Sequence, residues 1–152
     1  MQLTIIPYEP RYQPDFKRLN VEWIKQYFVV ETHDLEQLDH PETHILPNGG
    51  QIFLGLLDDV IVGCVAMVRT SPTDFELAKM AVSPAVHGQG VGKLLCQHAI
   101  GYARQSGAKT VWLETNRVLT PAISLYERVG FVHLPPKPSL YSRADVYMEV
   151  RF

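Results

Sequence analysis

The chain has 152 residues, of which 46% are hydrophobic and 20% charged, and its formal net charge is −2 at pH 7. These values predict one globular domain over residues 1–152, without a basic surface for nucleic acid and without the roughly 20-residue apolar run that spans a membrane. The first residues lack the pattern of a signal peptide and two cysteines are too few for a disulfide scaffold, so a cytoplasmic location is expected.

The first half of the chain predicts one strand, two helices and a hairpin. A short β-rich run at 3–8 precedes apolar residues at helical spacing over 10–28. A second, shorter helix is expected to end before Pro41. Two further β-rich runs flank Asp58 and Asp59, a residue pair that suits a tight turn, so they should form a β-hairpin.

The second half predicts a strand at 75–82, a glycine loop, and alternating helices and strands. The helix after the loop is amphipathic and should end at Gly107. A later helix has Thr120 as its expected N-cap, Pro121 at its first position and Gly130 as its C-terminal cap. The element order β-α-α-β-β-β-α-β-α-β-β predicts a mixed α/β sheet with helices packed on it.

Three glycines lie within five residues at 88–92, directly before a helix. A Walker phosphate loop is excluded because His87 stands at its first glycine position and Leu94 replaces its hydroxyl residue. The dinucleotide fingerprint is excluded because Lys93 stands at its third glycine position. The remaining interpretation is a helix N-terminus that favours an anion, with a merely flexible turn as the alternative.

Two motifs, taken with the element order, identify a family resemblance. The first comprises Met80, Val82, Pro84, His87, Gly88, Gln89, Gly90, Val91 and Gly92, and the second comprises Ala122, Tyr126, Gly130 and Phe131. With both motifs in this order, essentially the whole chain resembles the GNAT superfamily of acetyl-CoA-dependent N-acetyltransferases. The resemblance implies an α/β (α+β) fold with a mixed, mostly antiparallel central sheet of six to seven strands flanked by helices.

The resemblance also implies acetyl-CoA (coenzyme A) as cosubstrate, no metal, and a phosphate-binding backbone at the glycine loop. The expected cofactor-binding residues are Met80, Ala81, Val82, His87, Gly88, Gln89, Gly90, Val91, Gly92, Lys93, Asn116 and Tyr126. His87 replaces the Arg or Gln usual in the family, and Leu119 replaces a frequent asparagine, so Asn116 is the expected contact instead. For Lys93, an ordinary exposed lysine is an equally favoured interpretation.

Acetyl transfer to an amine requires a base, a hydrogen-bond donor to the thioester carbonyl and a proton for the departing thiolate. The resemblance implies that the Met80 N–H is the carbonyl donor and that Tyr126 supplies the proton, although spacing alone would make Tyr126 a packed core residue. Glu76 is the best candidate base, because strict alternation places it on the same strand face as Met80. A surface carboxylate is the alternative for Glu76; Glu114 and His133 are weaker candidates.

The acceptor is indicated by an acidic segment at 31–42 that contains no Lys or Arg. Its carboxylates are Glu31, Asp34, Glu36, Asp39 and Glu42. In the GNAT family the early helices border the acceptor site, so this segment favours a cationic small-molecule or peptide amine, with a solvated helix face as the alternative. His33, His40 and His44 fit no zinc motif, and no metal is expected.

The sequence favours direct transfer in a ternary complex over a covalent cysteine route. Cys64 lies in a buried strand pattern and Cys96 lies off the apolar stripe of its predicted helix, and neither has an evident base beside it. A catalytically silent acyl-CoA-binding or sensor module on the same fold is the second hypothesis. A homodimer is compatible with the sequence.

Overall fold

The structure is a computed structural model that describes residues 2–152. Within that range, one sheet contains seven strands and is flanked by five α-helices. The strands are β1 Leu3–Pro7, β2 Gln51–Leu57, β3 Val60–Arg69, β4 Asp74–Val82, β5 Thr110–Thr115, β6 Val132–Leu134 and β7 Val146–Arg151. The helices are α1 Gln13–Tyr27, α2 Thr32–Asp39, α3 Pro41–His44, α4 Val91–Gln105 and α5 Thr120–Arg128. The structure contains the one-turn helix α3, which the sequence does not predict.

The strand order across the sheet is β1-β2-β3-β4-β5-β7-β6. Every neighbouring pair is antiparallel except β4 and β5, which run parallel. The mixed, mostly antiparallel sheet that the sequence predicts is therefore confirmed. Among residues 2–152, no helix combines the length and the apolar character needed to cross a membrane.

The predicted β2–β3 hairpin is present, with Leu57 opposite Val60. Asp58 and Asp59 have φ values of 50° and 65°. Two consecutive positive φ angles define a type I′ turn, whose twist matches that of the paired strands. Aspartate tolerates this conformation better than most residues, which explains why the pair marks the turn.

Each face of the sheet carries its own apolar core. On one face, α1 and α2 contribute Phe16, Leu19 and Leu38 to a core with β2 and β3. On the other face, α4 buries Val91, Leu95, Cys96, Ala99 and Ala103. The expected position of Cys96 off the apolar stripe is wrong, because Cys96 is fully buried.

The second sequence motif ends α5 in a Schellman cap. Gly130 has a φ of 112°, the Phe131 N–H donates to the Tyr126 carbonyl at 3.0 Å, and the Gly130 N–H donates to that of Glu127 at 3.2 Å. The Phe131 ring also packs edge-on against the Tyr126 ring, with 5.8 Å between centroids. Gly130 and Phe131 therefore hold the backbone and the ring of Tyr126 in place. At the other helix end Leu119, not Thr120, is the N-cap residue.

Strand β4 separates from β5 after a short parallel contact. The two strands pair only from Asp74 to Glu76, opposite Thr110 to Trp112. Beyond Glu76, β4 stays paired with β3 on its other side. The gap that opens between β4 and β5 gives both faces of the sheet access to the same backbone segment.

A β-bulge at Lys79 changes which face of the sheet the following side chains of β4 lie on. Cys64 pairs with Ala81 and Ala66 pairs with Ala78, so β4 has one extra residue at this point, and Lys79 has a φ of 52°. Leu77 before the bulge and Met80 after it pack on the same α4-side core. The expectation that Glu76 and Met80 share a strand face is therefore wrong, because it assumed uninterrupted alternation.

Candidate active site

A large cleft of about 720 Å³ lies beside the end of β4, between α1, α4 and α5. Most of the expected cofactor-binding residues line it, namely Met80, Ala81, Val82, His87, Gly88, Gly90, Val91, Gly92, Lys93 and Tyr126. Sequence reasoning missed Arg128, which lines the same cleft from the last turn of α5. Gln89 and Asn116, also expected to bind the cofactor, are not among the lining residues.

The glycine loop brings backbone N–H groups to one end of this cleft. Gly88 and Gly90 have φ values of 80° and 81°, and Gly90 is the N-cap of α4. A Cβ added at either glycine would meet no atom within 4 Å, so the loop surface is open. The first N–H groups of α4 have no partner within the helix, and together with the helix dipole they favour an anion.

His87 and Asn116 already have hydrogen-bond partners in the protein. The His87 Nε2 lies 3.0 Å from the Val82 carbonyl oxygen. The Asn116 side-chain amide donates to the Arg143 carbonyl at 2.7 Å and accepts from the Val118 N–H at 2.9 Å. Asn116 therefore holds the segment that precedes β7 against the end of β5. It does not line the large cleft, as a cofactor contact would, but lines a second cavity.

This second, smaller cavity has a volume of about 100 Å³ and extends towards α1. Its lining includes Trp23, Phe28, Glu76, Lys79, Met80, Glu114, Tyr126, Tyr141 and Arg143. Met80 and Tyr126 line both the large cleft and the small cavity. The two spaces therefore meet at these residues, where β4 and β5 have separated.

Tyr126 has the environment of a proton donor. The side chain is 8% exposed, and burial raises the pKa of the phenol above its usual value, with the nearby Cys96 adding to the shift. Its hydroxyl makes no hydrogen bond to another residue of 2–152, so it is free to bond a ligand in the adjoining spaces. The phenol is therefore neutral and carries its proton at physiological pH.

Glu76 has the environment of a base that titrates near neutrality. Burial raises the pKa of its carboxyl to about 7, and the negative charge of Glu114 adds to the rise, while Lys79 and Lys137 oppose it. Glu114 lines the same cavity and accepts a 2.8 Å hydrogen bond from the Ser139 hydroxyl. His133 is exposed, bonds to Glu127 at 3.1 Å, and does not line the cavity.

The acidic segment is largely neutralised within the protein. Asp34 is fully buried and pairs with the Lys79 ammonium at 2.7 Å and the Arg143 guanidinium at 2.6 Å. Arg143 also pairs with Glu31 at 3.2 Å. The prediction that these carboxylates are unpaired is therefore wrong at Glu31 and Asp34. It fails because their partner cations come from residues distant in sequence.

Two more carboxylates of the segment also have partners. Asp39 lies 2.5 Å from the Lys17 ammonium, and Glu42 accepts a 2.9 Å hydrogen bond from the Tyr8 hydroxyl. Glu36 is exposed on α2. Among residues 2–152, the histidines of this region join no group of side chains arranged to hold a metal.

We expect Asp34→Ala to lower the free energy of unfolding by about 3–5 kcal/mol, because the buried Lys79 loses its counter-ion and Arg143 keeps only Glu31. Burial raises the pKa of Asp34, but the bonds to Arg143 and Lys79 outweigh this and lower it to about 2. The stabilisation is therefore present above the unfolded-state pKa near 4 and is lost as pH falls towards 2.

Urea unfolding of wild type and variant at several pH values measures this difference. Glu36→Ala, on the exposed face of the same helix, is the matched control and should change stability by less than about 0.5 kcal/mol. An Asp34→Ala protein as stable as wild type at pH 7 would contradict the structural role of this cluster.

Known proteins resemble this chain in sequence and in fold. The uncharacterised N-acetyltransferase YjgM of Escherichia coli strain K12 is 42% identical over 73 residues, which are 47% of this chain and 44% of that protein. The chain thus spans less than half the length of this relative. A GNAT-family acetyltransferase structure from Staphylococcus aureus Mu50 superposes with a TM-score of 0.90 at 20% identity, covering 99% of both chains.

A PaiA N-acetyltransferase from Thermoplasma acidophilum, solved in complex with coenzyme A, has a TM-score of 0.75 at 15% identity and full coverage of both chains. At such identities the structural likenesses show the fold. The family model described as acetyltransferase (GNAT) family matches residues 16–131, which is more than half of the chain and includes both sequence motifs. The chain therefore belongs to the acetyltransferase (GNAT) family.

Proposed function

We propose that residues 1–152 form one acetyltransferase domain that transfers the acetyl group of acetyl-CoA to a primary amine of a small molecule or peptide. The observation that carries this proposal is the meeting of the large cleft and the small cavity at Met80 and Tyr126. A thioester in the cleft and an amine in the cavity would come into contact there. The PaiA enzyme solved with coenzyme A supports the choice of cofactor.

The glycine loop at 88–92 holds the coenzyme A pyrophosphate through backbone N–H groups in this proposal. Lys93 and Arg128, which line the same cleft, add positive charge. The Met80 N–H donates to the thioester carbonyl oxygen, whose charge grows as the amine attacks. The strand register is compatible with that role, because Met80 lies at the bulge, where no residue of β3 is paired with it, and β5 pairs with β4 only up to Glu76.

Two side chains move protons in the proposed reaction. The Glu76 carboxylate accepts the proton of the attacking amine through water, and the amine nitrogen bonds to the acetyl carbon. The carbon–sulfur bond then breaks, and the Tyr126 hydroxyl gives its proton to the departing sulfur. The products are an N-acetylated amine and free coenzyme A; Glu76 then releases its proton to solvent, and Tyr126 regains a proton from solvent.

Burial of both cysteines supports direct transfer. Cys64 and Cys96 are fully buried, and burial raises the pKa of each thiol to about 12. A thiolate nucleophile is strongly disfavoured under these conditions. Among residues 2–152, neither cysteine lines the large cleft or the small cavity.

We expect Gly90→Ala to weaken acetyl-CoA binding by about 10-fold or more, because a left-handed φ costs a residue with a Cβ about 1–2 kcal/mol and the new methyl group faces the phosphates. Calorimetric titration with acetyl-CoA measures the loss. Gly101→Ala, in the middle of the same helix with open space around it, is the control and should bind normally. Equal affinity in folded Gly90→Ala would remove the loop from the binding site.

Release of free thiol from acetyl-CoA, measured with a panel of primary amines, tests the function itself. The proposed enzyme releases one coenzyme A for each N-acetylated amine that mass spectrometry detects. A silent acyl-CoA-binding module would bind acetyl-CoA without amine-dependent release. Failure of every amine in the panel, with acetyl-CoA bound, would favour that second hypothesis.

A further inference from the structure

Charged side chains of both signs line the small cavity. The cations are Lys79, on the bulge of β4, and Arg143, in the segment before β7. The carboxylates are Glu76 on β4 and Glu114 on β5. Asp34 is fully buried, does not line the cavity and pairs with both cations, and Glu31 pairs with Arg143 as well.

The cations retain hydrogen-bonding capacity. The Lys79 ammonium has three N–H groups, of which one donates to Asp34 at 2.7 Å and one to the Tyr141 hydroxyl at 2.9 Å. Arg143 has five N–H groups, and its bonds to Asp34 and Glu31 use only NH1 and NH2. Since Lys79 is only 5% exposed, a group that bonds it must lie within the cavity.

The carboxylates indicate where the amine end of the acceptor binds. Glu76 is the proposed base, and Glu114 is held by the Ser139 hydroxyl. An amine that enters beside them carries its positive charge until Glu76 takes the proton. An uncharged or anionic end would not be stabilised there, so the amine end of the acceptor belongs beside the two glutamates.

We propose that the acceptor is a free amino acid, with its amine beside Glu76 and Glu114 and its carboxylate on Lys79 and Arg143. This inference rests on the proposed function and names its substrate class. The volume of about 100 Å³ suits a small molecule that carries both charged groups. Trp23, Ile24 and Phe28 supply an apolar surface for its side chain.

The bulge explains why Lys79 can bind a carboxylate. The φ of 52° removes Lys79 from the strand alternation, and its ammonium reaches Asp34 on α2. The Arg143 guanidinium stacks on the Tyr141 ring, 4.4 Å from its centroid, which fixes the second cation. Both cations are therefore oriented before a ligand arrives, so binding requires little ordering of side chains.

The test compares L-alanine, L-serine and β-alanine with the corresponding carboxamides, which keep the size and remove the negative charge. Thiol release from acetyl-CoA gives kcat/KM for each compound, and calorimetry on the protein saturated with coenzyme A gives binding without turnover. We expect at least one amino acid to exceed its carboxamide by about 10- to 100-fold in both measurements, as for hydrogen bonds to charged groups.

Lys79→Met then tests whether the Lys79 ammonium causes the preference for the amino acid over its carboxamide. It removes the ammonium with little change in size, while Arg143 keeps its two bonds to Asp34. The amino acid should lose about 10-fold or more relative to its carboxamide, and Lys79→Arg should restore part of the preference. Lys109→Met, which removes an exposed lysine that does not line the cavity, is the matched control and should preserve the preference.

The outcomes separate this inference from the proposed function. Amines that release thiol equally well with and without a carboxylate would overturn the amino-acid inference and leave the acetyltransferase proposal standing. Selective binding of amino acids without thiol release would support an amino-acid site in the small cavity and overturn the transfer reaction. If Lys79→Met does not fold, the wild-type comparison alone decides, since equal binding of acid and carboxamide contradicts the proposal.

Discussion

Tyr126→Phe should lower kcat by about 10²- to 10⁴-fold while acetyl-CoA still binds, because the change removes the hydroxyl that protonates the thiolate and keeps the ring. The hydroxyl makes no hydrogen bond within residues 2–152, so its loss should have little effect on stability. The ring also keeps its edge-on contact with Phe131. Steady-state kinetics and calorimetry on the same preparation separate the chemical step from cofactor binding.

Tyr102→Phe is the matched control for this substitution. The Tyr102 hydroxyl donates to the Gly49 carbonyl at 2.7 Å, and Tyr102 does not line the large cleft or the small cavity. This variant should keep wild-type turnover even though it loses a hydrogen bond. Wild-type turnover in Tyr126→Phe, under conditions where chemistry limits the rate, would return Tyr126 to a packing role.

Glu76→Gln should lower kcat/KM by about 10²-fold or more at neutral pH, because glutamine keeps the shape and cannot accept the amine proton. In wild type the rate should rise with pH through an apparent pKa of about 7, since burial and Glu114 raise the pKa of Glu76 and only the ionised carboxyl is a base. The variant should lack this rise and retain only the ionisation of the amine itself.

A pH–rate profile of wild type and variant measures both effects. Glu127→Gln, which alters an exposed carboxylate on α5 outside both spaces, is the control and should keep the wild-type profile. A Glu76→Gln enzyme with an unchanged rising limb would show that another group, such as Glu114 or water, accepts the proton.

The glycine loop and the Tyr126 helix could be predicted from sequence because their signals are local. Gly88 and Gly90 occupy positive φ angles that few other residues adopt, and Gly130 caps α5 for the same reason. The hairpin at Asp58 and Asp59 follows the same logic. Each of these features depends on residues that are close together along the chain.

The charged cluster around Asp34 could not be predicted because it depends on long-range contacts. Its cations come from Lys79 on β4 and Arg143 before β7, which are 45 and 109 residues away in sequence. From sequence alone, a segment without Lys or Arg indicates a free acidic face. Only the fold shows that Asp34 is buried and paired.

The β4 bulge is the second feature that the sequence does not predict. Its residue of positive φ is a lysine and not a glycine, so the sequence predicts simple alternation through this strand. The extra residue becomes evident only when Cys64 pairs with Ala81 while Ala66 pairs with Ala78. This single shift turns Glu76 and Met80 to different faces, and the gap beside β5 then lets both line one cavity.

A single-turnover experiment tests direct acetyl transfer at Met80 and Tyr126 most directly. Protein saturated with acetyl-CoA is mixed rapidly with an amine that the thiol assay identifies, and N-acetylated amine, free coenzyme A and intact protein mass are followed together. Direct transfer predicts that amide and coenzyme A appear at the same rate, only when amine is present, with no acetylated protein on the pathway. Coenzyme A released before the amide, together with an acetyl-protein that then reacts with the amine, would contradict the account.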